Sequence, residues 1–182
     1  MRKRRVRERQ ARARGARRRF CVPARLAGRF ILFMGKIFSI NCSSAKGVPK
    51  EQARKAVLVK DHGIKGDAHA GTPIRQVSLL DMESVRGQIA DAKAKKAAVE
   101  IRPGVYAENI TTEGIALAAL KIGDKLRVGA TAVLRISKIG KECHSRCAIY
   151  HQVGDCIMPK KGIFAEVVEG GEIAVGDTIE PC

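Results

Sequence analysis

The sequence predicts one mainly β domain over residues 34–182, either a β-barrel or a folded-over antiparallel sheet with one or two helices. Short segments that alternate apolar and polar residues recur along the chain, and glycine-centred turns separate them. Only one segment has a clear helical period, which is too few helices for a doubly wound α/β sheet. Aromatic residues make up 4% of the chain and hydrophobic residues 45%, so we expect an aliphatic core.

The predicted strands lie at residues 36–41, 77–80, 126–128, 133–139, 163–168 and 173–179. In the last of them Ile173, Val175 and Ile179 can share one face, the period of a half-buried strand. The Gly170-Gly171 pair predicts a tight hairpin that joins the last two strands.

The predicted helix begins after Asp81, a residue type that caps helix N-termini well. Lysines enrich its last turn, where positive charge complements the helix dipole. A shorter helix is predicted around residues 50–55. The apolar stripe of the first helix consists of Met82, Val85, Ile89 and Ala92.

The net charge of +17 is concentrated in residues 1–33, which hold 13 of the 35 basic residues and one acid, Glu8. The remainder carries a net charge of only +5. We expect residues 1–33 to be a disordered Arg-rich arm. Three interpretations of this arm stay open. It binds nucleic acid or anionic lipid, or it is an inert tail. The third is that it is not translated, because the sequence from Met34 reads as a natural start that leads into a strand.

Targeting signals do not stand out in the sequence. No apolar run approaches the roughly 20 residues of a membrane helix. We expect no secretory leader, because the apolar stretch at residues 30–34 is too short for one. The six cysteines are spaced irregularly, unlike a disulfide framework. We therefore expect a cytoplasmic protein with reduced thiols and no membrane partner.

The tract 141–147 (KECHSRC) combines two thiols, an imidazole and two cations. Positive charge from Lys141, Arg146 or a protonated His144 favours the thiolate forms of Cys143 and Cys147, which react with sulfur and bind metals. The alternative is that both cysteines are small apolar residues buried in the core, but their polar neighbours argue against it.

Zinc is a second interpretation of the same tract, because Cys143, His144, Cys147 and His151 offer four nitrogen and sulfur ligands, with Cys156 as a substitute. The spacing does not resemble the paired knuckles of structural zinc sites.

Two further polar clusters are ambiguous. Asp67 and His69 lie two residues apart in the glycine-rich tract 63–71, so an extended backbone would place both side chains on one face. The alternative is a turn whose polar residues bond their own backbone. Glu108 and Asn109 belong to the tract 102–114, where they could equally satisfy buried backbone groups.

In order, the tracts 63–71, 75–81, 104–114 and 120–124 and a cysteine-bearing loop closely resemble the MOSC domain, named for the C-terminal part of molybdenum cofactor sulfurases. The resemblance covers nearly all of residues 34–182. It implies a β-rich barrel and a loop cysteine that carries sulfur as a persulfide or ligates the molybdenum of a pterin cofactor, molybdopterin. Cys143 matches the cysteine of small stand-alone members, whereas Arg146-Cys147 looks more like the motif of amidoxime-reducing relatives.

The resemblance assigns expected roles to particular residues. Cys143 and Cys147 are expected to ligate metal and, with His144, to carry the chemistry. Basic residues near the anionic cofactor phosphate are suggested by composition alone, and they are Arg75, Arg102, Arg146, Lys160 and Lys161. The expected cofactor-binding residues are Asp67, His69, Arg75, Glu108, Asn109 and Arg146.

The resemblance also implies partners. A separate sulfur donor of the cysteine desulfurase type, with its own pyridoxal phosphate, would supply sulfur, and a molybdoenzyme is the other expected partner. Two alternatives stay open: a molybdenum-dependent reductase of N-hydroxylated compounds, and a nucleic-acid-binding module that uses the Arg-rich arm.

Overall fold

The computed structural model describes residues 34–46, 48–143 and 146–182. The predicted Arg-rich arm, residues 1–33, lies outside the described residues, as do Gly47, His144 and Ser145.

The described chain forms eleven strands and three helices. The strands are β1 (Gly35–Cys42), β2 (Glu51–Ala53), β3 (Lys55–Val59), β4 (Gly63–Ile64), β5 (Val77–Asp81), β6 (Ile110–Glu113), β7 (Lys125–Val128), β8 (Ala132–Ile139), β9 (Ile163–Glu169), β10 (Gly171–Ala174) and β11 (Thr178–Pro181). The helices are α1 (Met82–Ala94), α2 (Ala148–Val153) and α3 (Met158–Lys161).

Seven strands form a closed barrel in the order β11, β7, β8, β9, β5, β6 and β1. The barrel closes where β1 pairs with β11, Gly35 opposite Ile179 and Lys36 opposite Thr178. Of the strand pairs in the described residues, only β5 and β6 run parallel. The structure thus confirms the mainly β barrel, and it adds two short helices, α2 and α3, that the sequence did not predict.

Outside the closed ring, β2 pairs with β1, and β10, β3 and β4 form a second, three-stranded sheet. No helix in the described residues has the length and apolarity that a bilayer span requires.

The interior is aliphatic, as expected. The barrel encloses one apolar cluster, and a second cluster lies where the helices cover the barrel wall. Fully buried members of the first cluster include Ile37, Ile40, Leu79, Leu126 and Leu134. Leu80, Val85 and Val153 are fully buried in the second.

Helix α1 begins as the sequence predicts. The carboxylate of Asp81 accepts a hydrogen bond from the backbone N–H of Ser84 at 2.7 Å, which satisfies one of the free donors at the helix start. Met82, Val85 and Ala92 of the predicted stripe are buried, and Ile89 is partly buried against the same cluster. Local capping and periodicity are sufficient to place this helix.

The helix predicted around residues 50–55 is wrong. This segment forms β2 and the start of β3, and Ala53 of β2 pairs with Ile40 of β1. A six-residue segment has little helical stability of its own, so strand pairing decides its conformation.

The single strand predicted at 173–179 is also wrong, because the chain turns between Ala174 and Thr178. The Asp177 carboxylate accepts the N–H of Ala174 at 2.8 Å and so stabilises the turn, which leaves Val175 46% exposed rather than on the shared face.

Gly170 and Gly171 do not form the predicted hairpin. Strand β10 pairs with β3 rather than with β9, so the chain changes sheets at this point. Glycine is required at 170, since a Cβ there would lie 2.7 Å from the carbonyl oxygen of Leu58.

Strand register brings several strand ends to one end of the barrel. The pairs link Ile40 of β1 to Ile110 of β6, Ile110 to Leu79 of β5, Leu79 to Ile163 of β9, and Ile163 to Ile139 of β8. The end of β1, the start of β6, the start of β9 and the end of β8 therefore lie side by side. We call this the site end of the barrel.

Gly87→Ala in α1 should raise the free energy of unfolding by about 0.5–1 kcal/mol, because alanine loses less backbone entropy in a helix. Gly87 is exposed, and an added Cβ meets no atom within 4 Å. Urea denaturation of the full chain measures the change.

Gly104→Ala is the matched control and should destabilise the protein. Gly104 has a φ of +89°, and a Cβ there would lie 2.5 Å from the carbonyl oxygen of Lys50. Equal effects of the two substitutions would contradict this account.

Candidate functional site

A cavity of about 580 Å³ opens at the site end of the barrel, and we call it the thiol cavity. It brings together three cysteines and three basic side chains. Its lining consists of Cys143, Cys147, Cys156, Lys138, Lys141, Arg146, Ile139, Gly140, Glu142, Tyr150 and Pro159.

The loop after β8 carries the first two thiols and is attached to α3 at its base. Gly140 donates to the carbonyl of Gly162 at 2.7 Å, and Lys141 donates to that of Pro159 at 3.2 Å. Cys147 precedes the first residue of α2 and accepts the N–H of His151 through its carbonyl. The thiols are thus presented between two secondary structure elements.

Cys143 and Cys147 are both exposed, which is what the sulfur and metal chemistry predicted from the sequence requires. Arg146 also lines the cavity, and its guanidinium lies 4.3 Å from the ring centroid of Tyr150. Stacking of this kind holds an exposed arginine in place beside the thiols.

Cys156 is the third thiol, and the sequence analysis named it only as a substitute zinc ligand. It lies between α2 and α3 and is buried. Burial, together with the nearby Cys147 and Cys143, raises the pKa of the Cys156 thiol to about 11, although a hydrogen bond from the Met158 backbone opposes the rise. Cys156 is therefore a protonated thiol at neutral pH.

A buried ion pair joins the loop after β1 to the glycine-rich turn after β4. The ammonium group of Lys50 donates to the carboxylate of Asp67, and both side chains are fully buried. Asp67 also accepts the backbone N–H groups of Ser43 at 3.1 Å and His69 at 3.0 Å. Burial alone would raise the pKa of Asp67, but these hydrogen bonds outweigh it and hold the pKa below its ordinary value.

Lys50 is a residue that the sequence analysis missed. It lies at the end of the loop after β1, and neither its spacing nor its neighbours distinguish it from a surface lysine. Only the tertiary fold shows that Asp67, 17 residues away, is its partner.

The ion pair determines the protonation of His69. Its Nδ1 lies 3.3 Å from the Lys50 ammonium nitrogen, which can only donate, so Nδ1 accepts and Nε2 carries the proton. The 3.6 Å separation from the Asp67 carboxylate is too long for a competing hydrogen bond.

The imidazole of His69 is neutral and partly open to solvent. Burial, followed by the charges of Lys50, Lys141 and Lys46, lowers the pKa of His69 against the opposing effect of Asp67. His69 does not line the thiol cavity. Its side chain is 32% exposed, so a ligand can reach it.

Asn109 is buried and joins strands. Its Oδ1 accepts the N–H and the hydroxyl of Ser78 at 3.1 and 3.0 Å, and its Nδ2 donates to the carbonyl of Asn41 at 3.3 Å. These bonds link β1 and β5 across the start of β6, so every polar atom of the Asn109 side chain has a structural partner.

Glu108 is also buried. Its Oε1 accepts the N–H of Gly104 at 2.6 Å and the hydroxyl of Thr111 at 3.0 Å, whereas its Oε2 has no partner among the described residues. Burial raises the pKa of Glu108 despite these bonds. Neither Glu108 nor Asn109 lines the thiol cavity, and their roles toward a cofactor stay predictions.

The remaining predicted cations lie elsewhere. Arg75 lies 5.4 Å from the ring centroid of Phe164, and Arg102 donates to the carbonyls of Lys50 and Pro103. Lys160 forms an exposed ion pair with Asp155. None of them lines the thiol cavity.

The zinc interpretation gains no support from the described residues. They contain no group of three or more His, Cys, Asp or Glu side chains arranged to hold a metal ion. His144, one of the four predicted zinc ligands and a predicted catalytic residue, lies outside the described residues.

Lys50→Met should lower the free energy of unfolding by about 3–5 kcal/mol, because it leaves the buried carboxylate of Asp67 without its cation. Chemical denaturation at pH 7 measures the loss. Lys55→Met is the matched control, since Lys55 forms an exposed pair with Glu172 and should shift the midpoint very little. Similar losses in both variants would show that the Lys50 pair is not a buried interaction.

Stability should fall as the pH drops below about 6.5, the ordinary pKa of histidine. The folded-state pKa of His69 is depressed, so below that pH the unfolded chain takes up a proton that the folded chain does not. The pKa of Asp67 is also lowered in the folded state, so stability falls further below about pH 3.8, the ordinary pKa of this carboxyl.

Thermal unfolding followed between pH 7.5 and pH 5, on the order of one unit either side of the ordinary histidine pKa, measures this effect. His69→Gln, which can still accept from Lys50, should flatten the decline, whereas His62→Gln at an exposed loop position should not. An unchanged decline in His69→Gln would assign the acid sensitivity to other groups.

Comparisons with known proteins agree with this architecture. The chain resembles the solved structures of YUAD protein from Bacillus subtilis (19% identity, 80% of this chain and 94% of that one, TM-score 0.66) and of YiiM from Escherichia coli (16%, 81% and 69%, TM-score 0.57). YiiM from Geobacillus stearothermophilus is similar as well, with 18% identity over 82% of this chain and 75% of that one and a TM-score of 0.58. At these identities the likeness shows the fold alone.

No curated protein sequence matches this chain. The family model described as the MOSC domain matches residues 66–180, which include the Asp67 and His69 pair and all three cysteines of the thiol cavity. The resemblance noted in the sequence is therefore confirmed, and the chain belongs to the MOSC domain family.

Proposed function

We propose that this MOSC-domain protein handles molybdenum cofactor or its sulfur at the thiol cavity. Cys143 is the first choice as persulfide carrier or molybdenum ligand, with Cys147 beside it. The observation that carries this proposal is that two exposed thiols and three basic side chains line one cavity at the site end of the barrel.

The lining fits a pterin cofactor with an anionic phosphate. The cavity volume of about 580 Å³ lies within the range typical of small-molecule sites. Lys138, Lys141 and Arg146 offer positive charge for the phosphate, and Cys143 and Cys147 offer soft sulfur ligands. When bound, the cofactor supplies a molybdenum centre that accepts such ligands.

The residues around the cavity have distinct parts in this proposal. The exposed cysteines offer the sulfur atoms that accept sulfur or ligate metal, and the cations beside them offer charge for an anionic ligand. His69 lies outside the cavity lining but is 32% exposed, and, held as its Nε2–H tautomer by Lys50, it offers a neutral hydrogen-bond donor to an anionic or carbonyl oxygen. Its neutrality means that it orients a ligand without adding charge.

The sulfur source in this proposal is a separate protein of the cysteine desulfurase type, which holds the pyridoxal phosphate. A molybdoenzyme that receives cofactor is the other partner that the proposal names. Both would have to reach the exposed thiols, and the openness of Cys143 and Cys147 to solvent supports such contact.

The full chain, expressed with active cofactor biosynthesis, tests the proposal. Bound molybdenum is measured by elemental analysis, and persulfide is measured by mass spectrometry after incubation with a cysteine desulfurase and cysteine. Cys143→Ser should lose most of the bound molybdenum or most of the persulfide. The double variant with Cys147→Ser should lose all of the signal that the single variant reduces. Cys182→Ser, outside the cavity lining, is the matched control.

Full retention of both signals in the double variant would end the proposal. Loss in Cys182→Ser as well would show that the effect is not specific to the thiol cavity.

A further inference from the structure

We propose that Cys156 is a resolving thiol, which attacks a persulfide on Cys147, releases its outer sulfur as hydrosulfide and leaves a Cys147–Cys156 disulfide. This inference rests on the proposed function, because it requires sulfane sulfur at the thiol cavity. It goes further by giving the buried third thiol a place in the release of that sulfur.

The first support is the placement of the two thiols. Cys147 and Cys156 line the same cavity, one exposed and one buried. A sulfur donor from solution can thus reach Cys147, while Cys156 is shielded from it. A carrier thiol and a resolving thiol need this division.

The second support is the way the backbone of Cys156 is held. The Gln88 side chain of α1 accepts the N–H of Ile157 at 3.1 Å and donates to the carbonyl of Asp155 at 3.3 Å, one residue to either side of Cys156. Asp155 in turn accepts the N–H of Cys156 at 2.8 Å. A buried thiol held on both sides is positioned for one partner.

The step balances without an outside oxidant. The Cys156 sulfur attacks the inner sulfur of the Cys147 persulfide, so one S–S bond breaks as another forms. The thiol proton of Cys156 leaves with the outer sulfur as hydrosulfide. The outer sulfur gains two electrons, and the two cysteine sulfurs together lose two electrons as they form the disulfide. A cellular thiol reductant then reduces the Cys147–Cys156 disulfide and restores both thiols.

The burial of Cys156 agrees with this order of events. A thiol shielded from solvent does not compete with the exposed Cys143 and Cys147 for incoming sulfur. It attacks once a persulfide has formed on Cys147, which lines the same cavity. Cys143 lies outside the pair, so its removal should leave the Cys147–Cys156 bridge intact.

The test uses the full chain loaded with inorganic polysulfide, after which free sulfide is measured and bridged peptides are mapped by mass spectrometry. Wild type should release hydrosulfide and form the Cys147–Cys156 bridge. Cys156→Ser should keep persulfide on Cys147 and release hydrosulfide at least about tenfold more slowly, since it lacks the attacking sulfur. Cys42→Ser, at a half-buried thiol outside the cavity lining, is the control and should behave as wild type.

A second measurement covers the case in which Cys156→Ser folds poorly. Mild oxidation of unloaded wild type and Cys143→Ser with diamide should give the same Cys147–Cys156 bridge in both. A bridge between Cys143 and Cys147 instead, or equal release rates in wild type and folded Cys156→Ser, would overturn the inference and leave the proposed function standing. Absence of persulfide from both wild type and folded Cys156→Ser under all loading conditions, with no hydrosulfide released by wild type, would overturn the sulfur-handling proposal and this release step together.

Discussion

The buried ion pair between Lys50 and Asp67 is the interaction on which two loops and the tautomer of His69 depend. It joins the loop after β1 to the glycine-rich turn after β4, two segments that the strands alone do not connect. Two buried charges are stable here because Asp67 also accepts two backbone N–H groups, so its carboxylate is well solvated by the protein. The same pair fixes the tautomer of His69. One electrostatic contact thus sets both the shape of the loops and the chemistry that they present.

At the thiol cavity the protein separates reactive groups by their exposure. Cys143 and Cys147 lie on the open side of the thiol cavity among cations, whereas Cys156 lies at its buried side next to the helices. Thiol reactivity follows ionisation and access, so thiols in a single cavity acquire different tasks without any change of residue type. The short helices α2 and α3 matter for this reason, because they hold the cysteine segments and contribute little to the barrel itself.

The features predictable from the sequence were those with local causes. Asp81 caps α1 through a contact with a residue three positions away. The tract with Cys143 and Cys147 contains its thiols and cations within seven consecutive residues. Features that depend on distant partners were missed. The residues around Lys50 do not distinguish it from a surface lysine. The pairing of β10 with β3 joins strands over a hundred residues apart, and Cys156 lies at the cavity only because the tertiary fold brings it there. Glu108 and Asn109 form a conspicuous polar pair whose observed contacts are structural, and their roles toward a cofactor stay predictions.

The closure of the barrel has a consequence for how this domain can be combined with others. Because Gly35 lies opposite Ile179, the two outermost strands in chain order are direct neighbours, and the backbone enters and leaves the barrel at almost the same place. A domain with adjacent entry and exit points can be spliced into a surface loop of a host protein, or its ends can be joined by a short linker and reopened elsewhere, without stretching the host or the barrel. The closed barrel is therefore suited to domain insertion and to circular permutation.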